Sequence, residues 1–190
     1  MTGMPLPEQG PPAPRVELPP WAVVSEKRHA HIDRVTALLD GWAVQMKLRK
    51  AEAQMWNDAG RWHDALRDLG EAELRRITGD TTSPFGTLHG PAAAIRLEQG
   101  GEARRDVLDA VRWHTVGSGS WSRTGQALYM ADYLEPGRPF AVTDRTFLAQ
   151  HVVIDFDGVF RQVVRHRFEW TLREGKMLFP EAVAMWNAVR

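Results

Sequence analysis

The chain is 190 residues long and carries 24 Lys+Arg against 24 Asp+Glu, with 43% hydrophobic residues and no cysteine. Zero net charge excludes a broad electrostatic grip on nucleic acid or anionic lipid, and the missing cysteine excludes disulfides, thiolate zinc sites and a cysteine nucleophile. Any metal must be held by His, Asp and Glu, and any anionic substrate by a local group of Arg or by that metal. Residues 1–24 hold seven of the twelve prolines and read as a Pro-rich arm, mobile or extended. Residues 25–190 read as one domain. Ser25 is placed to cap a first helix, in which Ile32, Val35, Leu39, Trp42 and Met46 recur every three or four residues. A second helix is expected from about Lys50 to Asp68 with Met55, Ala59, Trp62 and Leu66 on one face; Gly60 inside it costs about 1 kcal/mol relative to Ala.

A short helix around Ala72–Ile77 stops at Gly79, and Asp80–Gly90 reads as a loop. Pro91 is placed to open the next helix at its first position, and Gly100-Gly101 closes it. Arg104–His114, Gln126–Leu134, Thr143–His151, Gly158–Arg173 and Glu181–Val189 complete the expected helices. Val152-Val153-Ile154 is the one short β-branched run, too little for a sheet. The expected fold is all-α, a bundle of short helices. No apolar stretch approaches the roughly 20 residues of a membrane span, and no export signal is visible, so a cytoplasmic location is expected.

The chemistry-bearing residues are the seven histidines and their acidic neighbours. His63-Asp64 is an adjacent pair, weak by itself as a motif. Neighbours on a helix point about 100° apart, so both can reach one centre only across a helix edge. Four further segments set His or Asp beside helix ends: RHAHIDRV, TLHGP, VRWHTVG and YMADYLEPGR. His29 lies two residues from His31 on another face and reads as exposed or as a support for the ligands. His151 and His166 lack such context and read as ordinary surface or core residues. Trp121, in the GSGSWSRTG loop, reads as a loop anchor, with stacking on a nucleobase as the other reading.

Taken together, these segments resemble the HD-domain metal-dependent phosphohydrolases, and within them the YqeK-type symmetrical bis(5'-nucleosyl)-tetraphosphatases. The resemblance is carried by the order His31, His63-Asp64, His89, His114, Asp132, by the HTVG and LYMADYLEPGR segments, and by the closing REGKMLFPEAVAMWN. It runs from about Lys27 to the C-terminus. It implies an HD-domain helical bundle with two divalent ions, iron first, with manganese, cobalt or zinc as the other choices. It implies His31, His63 and Asp132 on one ion, His89 and His114 on the other, and Asp64 bridging. The implied activity is symmetrical cleavage of dinucleoside tetraphosphates by a metal-bound hydroxide, diadenosine tetraphosphate giving two ADP. Arg67 stands where the family usually has Lys and is the candidate for gripping the reacting phosphates, with Asp64 as the other catalytic residue. Arg28, Thr115 and Arg138 are candidate substrate-binding residues. The implied partner is a small nucleotide, with no nucleic acid and no membrane, and a homodimer is compatible with the resemblance. SWSRTGQA departs from the family's usual run before the Ala-Asp signature, and Trp62 replaces a small aliphatic residue. These departures leave two other readings open: an HD-domain phosphohydrolase of another nucleotide or phosphate ester, and a di-iron HD-fold oxygenase.

Overall fold

The computed structural model describes residues 13–190; the first half of the Pro-rich arm lies outside the described residues. Nine α-helices and one short 3-10 turn follow in order, and no strand occurs among the described residues. Ser25 is extended and its Oγ accepts from Arg28 N at 3.3 Å, so α1, Glu26–Gln45, starts where the side chain satisfies an otherwise unpaired N–H. Its inward row Ile32, Val35, Leu39 and Trp42 is buried.

The second helix, α2, spans Lys50–Trp62 and stops six residues before the expected end. The arm supplies the reason. Val23 N donates to Ala65 O at 2.8 Å and Asp68 N donates to Val23 O at 3.3 Å, so a crossing strand of chain takes up groups that a longer helix would pair internally. What remains is a tight turn closed by Arg67 N→Asp64 O and Leu69 N→Leu66 O. Ser25 N donates to Asp68 Oδ2 at 2.7 Å and fastens the same turn. Residues 13–24 are otherwise irregular, with a turn at Pro20 and Trp21 closed by Ala22 N→Pro19 O, and Val16 N donates to the buried Asp33 Oδ1 at 2.8 Å. Gly60, costly by propensity, is explained by packing: a Cβ there would lie 2.9 Å from Leu39 Cδ1 and 3.2 Å from Thr36 Cα, so glycine lets α2 press on α1.

After α3, Glu71–Thr78, Gly79 takes the left-handed conformation that ends a helix. The 3-10 turn Phe85–Thr87 leads into α4, His89–Gln99, which begins two residues before Pro91 and therefore places His89 at its first turn. The remaining helices are α5, Arg105–Trp113; α6, Arg123–Leu134; α7, Val142–His151; α8, Phe156–Arg173; and α9, Pro180–Val189. The Val152–Ile154 run forms the turn between α7 and α8. The main core gathers α1, α2, α6 and α8 around Trp56, Leu128, Met130 and Val163, and a smaller one lies between α3, α4 and α5 around Leu74, Ala93 and Leu108. None of the described helices is long and apolar enough to cross a membrane.

Candidate metal centre

The six residues singled out as ligands converge from five elements. His31 comes from the second turn of α1, His63 and Asp64 from the turn after α2, His89 from the start of α4, His114 from the end of α5 and Asp132 from α6. All six are buried. His63 keeps helical backbone angles and donates its N–H to Ala59 O, and Asp64 follows it in the turn, so the pair faces the centre from the C-terminal edge of α2. Gly90 permits the other convergence: a Cβ there would lie 2.8 Å from Val111 O and 2.9 Å from Arg112 O, so only glycine allows α4 to abut the end of α5 and bring His89 beside His114.

Asp64 divides the cluster. Its Oδ1 lies 3.0 Å from His89 Nε2 and 3.3 Å from His114 Nε2, and its Oδ2 lies 3.6 Å from His63 Nε2 and 3.7 Å from His31 Nε2. Each carboxylate oxygen thus faces its own pair of imidazoles. In each trio the donor atoms lie within 4.8 Å of one another. Asp132 joins the second trio, with Oδ1 3.1 Å from His31 Nε2.

The donor set fits two divalent cations. His63 Nδ1 is 2.8 Å from Gly60 O, His114 Nδ1 is 2.8 Å from Val111 O, and His31 Nδ1 is 3.1 Å from Glu135 Oε1. Each of these acceptors takes the Nδ1 proton, which leaves the Nε2 lone pair directed inward, the tautomer a metal ligand needs. The inward nitrogens then meet: His63 and His31 Nε2 are 3.4 Å apart, and His89 and His114 Nε2 are 3.0 Å apart. Facing lone pairs repel unless a cation or proton lies among them. His89 Nδ1 is buried with no hydrogen-bond partner among the described residues.

Charge follows the same pattern. Burial opposes ionisation of Asp64, but His63, His114 and His89 outweigh it and hold the carboxyl well below its usual range. Asp132 is likewise held ionised against burial by Arg138 and His31. Burial pushes His63 down to about 4, with His114 and His31 adding to the effect, and burial also lowers His89. His31 goes the other way: burial is outweighed by Asp132 and Glu135, which raise it to about 9. His63 and His89, kept neutral by burial beside ionised carboxylates, are in the protonation states that bind divalent metal, whereas His31 holds a proton that a bound cation would displace.

Several arginines surround the centre. Arg28 Nη1 donates to Asp64 Oδ2 at 2.7 Å, and Arg138 donates through Nη2 to Asp132 Oδ1 and through Nε to Asp132 O at 2.7 Å. Two of the three candidate substrate-binding side chains therefore lie directly on ligand carboxylates. Thr115 Oγ1 is 3.2 Å from His114 Nε2 and 3.4 Å from His89 Nε2. Arg67 is half-buried and has no ion-pair partner among the described residues; its charge helps lower the pKa of His89.

Four residues that the sequence motifs do not single out support the centre. Glu135, buried at 2% exposure, holds His31 Nδ1 and accepts from Arg34 Nε at 2.5 Å; burial opposes its charge, but His31 and Arg34 bring its pKa down to about 2. Its place in the EPGR segment was the available signal. Arg145, also buried, donates to the carbonyls of Tyr133, Glu135, Arg138 and Phe140 and so fixes the loop that carries Glu135 and Arg138. Arg167 on α8 lies 3.6 Å from Asp132 Oδ2. His29, rather than being exposed, is half-buried with Nε2 2.9 Å from Val16 O, where it holds the arm. His151 sits away from the centre on Phe147 O, whereas His166 lines the cleft beside Asp132. Trp121 is buried and donates from Nε1 to Asp109 O at 3.1 Å, with Gly125 leaving room for its ring.

This all-α framework is shared with a solved structure. A crystal structure from Clostridium acetobutylicum, described as a predicted HD superfamily hydrolase involved in NAD metabolism, superposes with a TM-score of 0.75 over 87% of this chain and 90% of that one, at 23% identity. Among proteins of known name, the chain is similar to symmetrical bis(5'-nucleosyl)-tetraphosphatases. It is 26% identical to that of Halalkalibacterium halodurans over 74% of this chain and 79% of the relative, and 23% identical to that of Bacillus subtilis over 86% and 90%. The Staphylococcus aureus protein of the same name is 30% identical over 63% of this chain and 64% of its own length. No protein-family model matches the chain.

Proposed function

We propose that this chain is a metal-dependent hydrolase that cleaves dinucleoside tetraphosphates symmetrically, diadenosine tetraphosphate and water giving two ADP. The observation that carries the reading is Asp64, whose two oxygens each face a separate pair of imidazoles. The names of the relatives supply the substrate class.

His31, His63 and Asp132 would hold one divalent ion and His89 and His114 the other, with Asp64 offering an oxygen to each. Bound there, such ions supply positive charge to a phosphoryl transition state and acidify water. The protein's own groups do the rest. Cleavage forms a bond from water oxygen to one central phosphorus and breaks its bond to the bridging oxygen, which leaves on the second ADP. Arg67, three residues after Asp64 and without an ion-pair partner among the described residues, grips oxygens of the reacting phosphates. Arg28 and Arg138, held by Asp64 and Asp132 at the edge of the centre, bind the phosphates that flank them. The Thr115 hydroxyl, within hydrogen-bond reach of His89 and His114, orients water or a phosphate oxygen. Glu135 keeps the His31 ring in its ligating orientation.

Iron is the proposed metal, since mixed imidazole and carboxylate donors without thiolate suit it, as they do manganese, cobalt and zinc. The domain proper is residues 25–190, with residues 1–24 as its arm, and the proposed location is the cytoplasm. The test is chromatography of the products from diadenosine tetraphosphate with anaerobically reconstituted protein. Two ADP per substrate is the expected result; AMP plus ATP, or no turnover with any of the four metals, overturns the proposal.

A further inference from the structure

Beside Asp132 a cleft of about 780 Å³ opens between α8 and the loop after α6, a volume suited to a small-molecule ligand. Its inner end is cationic, where Arg138 and Arg167 flank Asp132. Arg167 is fixed there, with Nη2 donating to Thr115 O at 3.1 Å and the guanidinium carbon 4.3 Å from the Tyr129 ring centre. Farther along, the cleft is aromatic. Trp170 follows Arg167 by one turn of α8, and Phe140 lines the cleft from the loop.

Both rings are open, Phe140 at 44% and Trp170 at 45% exposure; Trp42, Trp56 and Trp121 are buried, and the other open phenylalanines, Phe85 and Phe147, do not line this cleft. Both are also held in place. Phe140 lies against Tyr133, with ring centres 5.7 Å apart, and under the Arg145 guanidinium at 4.9 Å; the Lys176 ammonium lies 4.0 Å from the Trp170 ring centre. Ala141, next to Phe140 on the rim, has a left-handed backbone (φ 41°) that a residue with a Cβ adopts at a cost. Pre-set exposed rings reached past two arginines are what a base joined to a phosphate chain requires, because stacking needs a flat apolar face and little ordering on binding.

We infer that Phe140 and Trp170 form a nucleobase subsite, occupied by the base of the nucleoside diphosphate half that lies on the Asp132 side of the centre. The inference rests on the functional reading above and adds to it the residues that select a nucleotide over a bare polyphosphate. Trp121, the other tryptophan considered for stacking, is excluded by its burial.

The test is calorimetric titration of metal-loaded full-length protein, and of its Phe140→Ala, Trp170→Ala and Trp170→Phe variants, with ADP and separately with pyrophosphate. Each alanine variant is expected to bind ADP roughly ten- to a hundredfold more weakly. Trp170→Phe is expected to stay within about threefold of the parent, because a flat ring remains. Pyrophosphate affinity is expected to stay the same throughout. Unchanged ADP affinity in both alanine variants, or an equal loss for pyrophosphate, overturns the inference. Product analysis on the same samples separates the two claims. If the parent makes ADP from diadenosine tetraphosphate while the alanine variants hold ADP as tightly as before, the subsite alone falls. If the parent leaves that substrate intact while the variants lose ADP affinity, the functional reading alone falls.

Discussion

The two halves of the centre, divided at Asp64, are built differently. The His89–His114 half is enclosed by helix ends: α4 abuts α5 through Gly90, the His114 ring is pinned to a carbonyl of its own helix, and no arginine is paired to either imidazole. The His31–His63 half is wired to charge, through Glu135 and Arg34 on one side and Asp132 with Arg138 and Arg167 on the other, and it opens on the cleft. One half is positioned by backbone packing; the other shares that device at His63, held on Gly60 O, and adds a network of ion pairs around His31 and Asp132. In the functional reading, the first anchors an ion and the second also receives the phosphate chain.

Removing the divider has the largest effect. Asp64→Asn is expected to abolish hydrolysis and to drop metal content below one ion per chain, measured by elemental analysis. It also strips part-exposed Arg28 of its carboxylate partner, while His31 keeps Asp132 and Glu135, a loss of about 1–3 kcal/mol in metal-free unfolding experiments. Retention of both ions in this variant would remove the bridging role.

Gly90→Ala attacks only the packed half. The added Cβ meets two backbone carbonyls, which cannot swing aside as a side chain can. The expected cost is about 1–3 kcal/mol in thermal unfolding, with one of the two ions lost and the other kept. Glu135→Gln attacks only the wired half, at the cost of weakening the bond that Glu135 Oε2 accepts from Gly137 N at 2.6 Å. Losing the charge behind His31 is expected to weaken one ion by about 10–100-fold, read as a split between two previously similar steps in a metal titration. Equal weakening of both ions would mean the halves are not independently built. His151→Ala, whose ring rests on Phe147 outside the centre, is expected to leave metal content unchanged and stability within about 0.5 kcal/mol.

The same division decides what could be read from the sequence. The start of α1 was legible because Ser25 and the Ile32–Val35–Leu39–Trp42 row are local signals. The six convergent residues were legible as an ordered motif, although their meeting in space is a property of the fold. The end of α2 was not legible, because it depends on Val23 pairing with Ala65 and Asp68 across about forty residues. The roles of Arg34 and Arg167 were hidden for the same reason: Arg34 meets Glu135, and Arg167 meets Asp132, only after α1, α6 and α8 have packed. Gly60 and Gly90 look like defects or punctuation in a linear reading, and only interhelical contact shows that they set the ligand positions.

The shared carboxylate is tested most directly by anomalous diffraction from crystals of the reconstituted protein, recorded at the absorption edge of the loaded metal. The account predicts two peaks, one beside each oxygen of Asp64, the first among His31, His63 and Asp132 and the second beside His89 and His114. A single peak, or two that leave Asp64 without contact to one of them, would contradict it.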